Sequence, residues 1–116
     1  MECYLDNSAT TKPCKAAVDA EISALTELYG NPSSLHQKGV DAYMLLEKSR
    51  GTIAASLKAS PDEIYFTPCG TVSNNTAIFG AVGAKKRLGK KIVTTALEHP
   101  SVEKCMERLE ESGFEV

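Results

Sequence analysis

At 116 residues, with 42% hydrophobic and 24% charged residues and a formal net charge of −2, the chain reads as at most one ordinary soluble globular domain. That balance gives no electrostatic ground for a nucleic acid or an acidic membrane as partner. No run approaches the roughly 20 apolar residues of a membrane span, and Asp6 and Asn7 stand where a signal peptide would be apolar, so the cytoplasm is the expected compartment. Cys3, Cys14, Cys69 and Cys105 form no C-x-x-C pair and no cluster with histidine. Reduced thiols and no metal site are expected.

In chain order, Tyr4 and Leu5 open an extended segment, and residues 6–11 are polar and turn-forming. A first helix is predicted over 13–29, with Pro13 at its first position, Gly30 just past its end, and an apolar stripe of Ala17, Ala20, Ala24, Leu25 and Leu28. Residues 30–34 form a turn and a cap. A second helix is predicted from about Ser34 to Leu57, burying Val40, Met44, Ile53 and Leu57, with Gly51 marking close packing or a bend.

From Ser60 the pattern changes. Strand 64–67, helix 71–87, strand 92–95, helix 100–112 and a further strand starting at Phe114 are expected, with Gly89 and Gly113 at the helix exits. Alternation of this kind implies an α/β fold with βαβ units on a parallel sheet. Two strands and a stub leave that sheet incomplete within the chain. The division is therefore 1–59, an extended segment and two helices, and 60–116, the start of a βαβ domain. Lys85, Lys86, Arg87, Lys90 and Lys91 cluster at a helix end and a strand start, where cations complement the helix dipole.

Ligands of open parallel sheets bind beyond the carboxyl ends of the strands. That rule puts the turn 68–71 and the loop 96–99 on one rim, with Gly70, Thr71 and His99 as candidate site residues. The turn is neither a Walker A loop nor G-x-G-x-x-G. Small residues opening a helix aim backbone N–H groups and the positive dipole end at one spot, which suits a phosphate. On the residues alone Thr71 has two uses, as a helix cap or as a phosphate ligand, and capping is the commoner. His99 and His36 likewise read either as residues beside helix starts or as ligand contacts, and Cys69 either as a buried thiol or as one activated at a helix N-terminus.

Taken together and in order, Tyr4-Leu-Asp-Asn-Ser-Ala-Thr-Thr11, Gly30-Asn-Pro-Ser-Ser-Leu-His36, Glu63-Ile-Tyr-Phe-Thr67, Thr71 with Ser73-Asn-Asn75, Glu98-His-Pro-Ser-Val102 and Gly113-Phe-Glu-Val116 closely resemble the N-terminal portion of the cysteine desulfurases. These are pyridoxal-phosphate enzymes of the class V aminotransferase group. The resemblance implies the large domain of a fold-type I pyridoxal-phosphate transferase, a homodimer, L-cysteine as substrate, and a protein that accepts the sulfur or acts as scaffold for it in iron–sulfur or thiolation pathways. It implies that Gly70 and Thr71 hold the cofactor phosphate and that His99 stacks on the pyridine ring and assists proton transfer. Asn7 and Asn31 then lie near the substrate.

The chain departs from the family pattern where Pro68-Cys-Gly-Thr-Val72 replaces Ser-Gly-Ala-Thr-Glu, so Val72 takes the place of an acid. The Schiff-base lysine, the aspartate facing the pyridine nitrogen and the sulfur-accepting cysteine belong to later segments of the family. Lys12, Lys15, Lys38, Lys48 and Lys58 read as helix-surface residues, and the 116 residues alone are expected not to turn over. A selenocysteine lyase, an aminotransferase of the same group, or a non-catalytic module associating through an open sheet edge are the alternatives.

Overall fold

A computed structural model describes residues 3–116. They divide into two compact units, one ending at Ile64 and one running from Tyr65 to Val116.

In the first unit, α1 covers Lys15–Thr26 and α2 covers Gln37–Leu57. The first helix is shorter at both ends than its pattern suggested. Cys14 has extended backbone (φ −72, ψ 157) as the N-cap, so Pro13 stands outside the helix. At the other end the Lys38 ammonium donates to the Glu27 carbonyl at 3.0 Å and lies 5.2 Å above the Tyr29 ring. A cation there satisfies an orphan carbonyl and complements the dipole. Gly30 is therefore no helix cap; it is a point of close contact with the α2 backbone.

α2 begins at Gln37 rather than Ser34 because residues 31–34 are already committed to a turn. The Ser33 N–H donates to Asn31 Oδ1 at 2.9 Å, and the Ser34 N–H donates to the Asn31 carbonyl at 2.9 Å. His36 caps the helix, its Nδ1 accepting from the Gly39 N–H at 3.4 Å. Lys58 closes it in the left-handed region (φ 56), with the Ala59 N–H returning to the Ala54 carbonyl, a C-terminal arrangement that satisfies the last carbonyls.

The buried positions of α2 are Gly39, Ala42 and Ala54. The expected large residues Val40, Met44, Ile53 and Leu57 are 43%, 62%, 38% and 66% exposed. Gly39 lies against the turn backbone at Asn31 and Ser34, an approach that leaves no room for a Cβ, and α2 also packs on the short 3-10 segment Pro61–Glu63. Gly51 touches nothing at its Cβ position, which excludes close packing as its reason. The α1 stripe is no more covered, since α1 buries no residue.

In the second unit, α3 (Gly70–Lys85) lies against α4 (Pro100–Glu111). Pro100 occupies the first position of α4, where its missing N–H costs nothing, and Gly113 (φ 85) turns the chain out of it. Cys105 and Leu109, at 1% and 4% exposure, form the core of this pair together with Ser101. No helix is long and apolar enough to cross a membrane among the described residues.

The predicted strands are not formed as strands among the described residues. What exists is one parallel bridge, Lys91 with Glu115. It is held by Ile92 N–H to the Glu115 carbonyl and Glu115 N–H to the Lys90 carbonyl, both 2.8 Å, and by a Lys91–Glu115 ion pair of 2.7 Å. Its parallel sense agrees with the βαβ reading. Beyond this bridge no strand ladder is formed among the described residues, and a strand is stabilised by its cross-strand pairs. Tyr65 and Val93, apolar residues suited to a covered sheet, are 80% and 87% exposed.

Candidate functional site

Three of the predicted site residues fall in the second unit, at the starts of its two helices. Gly70 and Thr71 are the first two residues of α3, and His99 is the N-cap of α4. All three are exposed.

The two helix starts differ in how their N–H groups are used. At α4 the histidine caps its own helix, Nδ1 accepting from the Ser101 N–H at 3.1 Å. At α3 the N-cap is Cys69, in fully extended backbone (φ −164, ψ 166), and it makes no side-chain cap bond. The nearby hydroxyls are otherwise engaged: Thr67 Oγ1 donates to the Cys69 carbonyl at 3.1 Å and shares a hydrogen bond with Ser73 Oγ. No acidic residue occupies the first turn, and the space where a Cβ would stand on Gly70 is open. An uncapped helix start without a carboxylate keeps its positive dipole end and its N–H donors for an external anion.

Asn74, one turn into α3, donates from Nδ2 to Ser101 Oγ at 2.8 Å, and Ser101 Oγ lies 2.8 Å from His99 Nδ1. One hydrogen-bonded chain thus joins the helix that starts at Gly70 to the histidine that starts the next. Ser101 is the buried polar residue of this unit.

Asn7 and Asn31 lie in the first unit. Asn7 is in the turn after Asp6, its carbonyl accepting from Thr11 Oγ1 at 3.4 Å. Asn31 uses its side-chain oxygen on the Ser33 N–H. Cys69 is exposed rather than buried, and Cys105 is the buried cysteine, its thiol donating to the Ser101 carbonyl at 3.1 Å. No cluster of histidine, cysteine, aspartate and glutamate fit for a metal exists among the described residues.

What sequence reasoning missed is the pair Asn74 and Ser101. Both stand in the sequence only as members of motifs, with no role of their own. A signal existed for Ser101, which stands two residues after a histidine with proline between, the spacing at which an N-cap side chain meets the N2 residue. Nothing local marks Asn74 as its partner, 27 positions away.

Two adjacent helix starts thus carry Gly70, Thr71 and His99, and the chain has solved counterparts. The chain is similar to a structure described as a NIFS-like protein, with a TM-score of 0.88 and 37% identity over all of this chain and 32% of that one. It is also similar to SspA in complex with cysteine, with a TM-score of 0.83 and 31% identity over 97% of this chain and 33% of that one. Residues 3–116 match the aminotransferase class-V family, and the chain belongs to it.

Among curated relatives it is 50% identical over 113 residues to a NifS/IcsS protein homolog of Lactobacillus delbrueckii subsp. bulgaricus. It is 45% identical over 114 residues to the cysteine desulfurase IscS of Neisseria meningitidis, and 42% identical over 116 residues to the cysteine desulfurase NifS of Azotobacter vinelandii. These alignments cover 97–99% of this chain and 28–29% of the relatives, so the chain spans under a third of the length of the curated proteins it matches. Cysteine desulfurases of this family depend on pyridoxal phosphate.

Proposed function

We propose that residues 60–116 begin the cofactor-binding domain of a pyridoxal-phosphate-dependent cysteine desulfurase, which converts L-cysteine to L-alanine and passes the sulfur on. The observation that carries this reading is the uncapped, acid-free start of α3, joined through Asn74 and Ser101 to His99, in a chain 42–50% identical to named desulfurases and a NifS homologue.

The donor set fits the cofactor's phosphate. The N–H groups of Gly70 and Thr71 and the Thr71 hydroxyl are assigned to it, with the helix dipole adding to the attraction. Charge-assisted hydrogen bonds of this type are about twice as strong as neutral ones. His99, exposed and held at one ring nitrogen, is assigned to the face of the cofactor ring, with Nε2 as the edge that meets a proton in transfer. Bound pyridoxal phosphate supplies an electron sink for the amino acid, while the protein supplies orientation and electrostatics. With Val72 in place of an acid, no carboxylate in the first turn of α3 sets a like charge against the phosphate.

Asn7 and Asn31 keep a substrate-side assignment on the resemblance alone. A homodimer, a cytoplasmic location and a protein partner that accepts the sulfur or acts as scaffold belong to the same proposal, and L-cysteine as substrate is supported by the cysteine complex of a structural neighbour.

The test is titration of the complete gene product with pyridoxal phosphate, followed by absorbance, and then alanine release from cysteine. Binding with alanine formation is expected. Thr71→Val should weaken cofactor affinity by about tenfold to a hundredfold, the worth of one hydrogen bond to a charged group. A folded protein that takes up no cofactor, or that takes it up and forms no alanine, overturns the reading.

A further inference from the structure

The orientation of the His99 ring is settled by groups that the sequence motif does not single out. The Ser101 backbone N–H, which can only donate, lies 3.1 Å from His99 Nδ1. Nδ1 must therefore carry a lone pair, and in neutral imidazole the proton then sits on Nε2. The Ser101 hydroxyl, 2.8 Å from the same nitrogen, has to donate as well. It is free to do so because its own lone pair receives the Asn74 amide, at 2.8 Å. Every member of the chain has one consistent role: Asn74 Nδ2–H to Ser101 Oγ, Ser101 Oγ–H to His99 Nδ1, and Nε2–H outward.

We propose that Asn74 and Ser101 are positioning residues for His99, holding it as the Nε2–H tautomer with its ring fixed relative to the phosphate-binding start of α3. This deepens the functional reading above and rests on it for the role of His99. The tautomer and the ring position rest on geometry alone.

Two features of the arrangement go beyond ordinary capping. A backbone N–H alone would cap α4, yet Ser101 brings a second donor to the same nitrogen. Ser101 is also largely buried, at 7% exposure for the residue, so water competes little for its hydroxyl, whose direction is set by Asn74. Because Asn74 lies on α3 and Ser101 on α4, the bond ties the two helices at the level of their starts, four residues beyond Gly70 and two beyond His99. A shift of one helix along the other would break it. Secondary groups that orient an active histidine act in this manner, by fixing tautomer and ring direction rather than by touching the substrate.

The experiment is ring-nitrogen NMR of the cofactor-free complete protein labelled with 15N-histidine, which reports tautomer directly and needs neither cofactor nor turnover. In the wild type His99 is expected to show an unprotonated Nδ1 and a protonated Nε2. Ser101→Ala and Asn74→Leu should each raise the share of the Nδ1–H form by about fivefold, the worth of one net hydrogen bond. The double variant should shift no further than Ser101→Ala. Ser101→Thr, which restores the hydroxyl, should return the wild-type signals. A protonated Nδ1 in the wild type, or ring signals indifferent to Ser101→Ala and Asn74→Leu in folded protein, overturns the proposal. The wild-type spectrum alone keeps it falsifiable if a variant fails to fold. Loss of cofactor binding with the tautomer intact would instead strike the functional reading.

Discussion

The backbone of Gly30 lies so close to Lys38 that a Cβ added at residue 30 would stand 2.0 Å from the Lys38 carbonyl oxygen. That oxygen belongs to the first turn of α2 and cannot swing aside like the tip of a side chain. Gly30→Ala should therefore cost at least the 1–3 kcal/mol or so of an overpacked site. Chemical denaturation of the complete protein checks it, with a lowered midpoint expected and far-UV helix signal lost earlier than in the wild type.

Gly51 supplies the opposite case within the same unit. It stands inside α2 with nothing within 4 Å of its Cβ position, so alanine meets no obstacle and removes the entropic cost of a helical glycine. Gly51→Ala should stabilise by roughly 0.5–1 kcal/mol, read as a raised denaturation midpoint.

His99 serves both as N-cap of α4 and as candidate ring contact, and substitution separates these uses. Asparagine is a strong N-cap, whereas alanine loses about 0.5–2 kcal/mol. His99→Asn should keep stability near wild type while lowering alanine formation by the 100-fold or more associated with a lost acid–base group. His99→Ala should lose both. Thermal melts beside turnover assays distinguish the two variants.

Leu109, at 4% exposure, is a large aliphatic residue in the small core between α3 and α4. Truncation to alanine removes buried apolar surface and leaves a cavity, at a cost of about 2–5 kcal/mol. Amide exchange should accelerate in α3 and α4 in Leu109→Ala and much less in α2.

Asp62 offers a pH-dependent test on the 3-10 segment. The Ser60 hydroxyl donates to its carboxylate, and this bond, aided by the Asp62 backbone N–H, holds its pKa below the usual 3.8. A depressed carboxylate contributes stability that is fully present above its unfolded value and is lost as pH falls through the folded one. The contribution should therefore be intact above about pH 4 and fade below it. Side-chain NMR titration should show Ser60→Ala moving the Asp62 midpoint upward. Lys104, raised by its hydrogen bond and ion pair with Glu107, has the opposite sign, its contribution being lost as pH climbs through the folded-state value.

Much of the local architecture was legible in the residues. Pro100 marked the first position of α4, and Gly113 marked its exit with positive φ. Helices were expected where α1, α2, α3 and α4 stand, because each pattern is a property of neighbouring residues. The α2 start was missed because Asn31 takes Ser33 and Ser34 into a turn and leaves the cap to His36. The α2 core was missed because periodicity weights large aliphatics, whereas the buried face is built from Gly39, Ala42 and Ala54. The expected strands were marked by β-branched and aromatic residues, but ladder bonds need a neighbour, and among the described residues one is found only at Lys91 and Glu115.

The sequence by itself determined the family motifs, the order of the helices and the placing of Gly70, Thr71 and His99 at helix starts, since capping and periodicity act over three or four residues. Only the tertiary structure decided that Asn74 and Ser101 meet and that the Ser101 hydroxyl is thereby turned onto His99 Nδ1. Those outcomes depend on a hydrogen bond spanning 27 positions, which forms when α3 and α4 bury Cys105 and Leu109 against each other, and no local pattern encodes it.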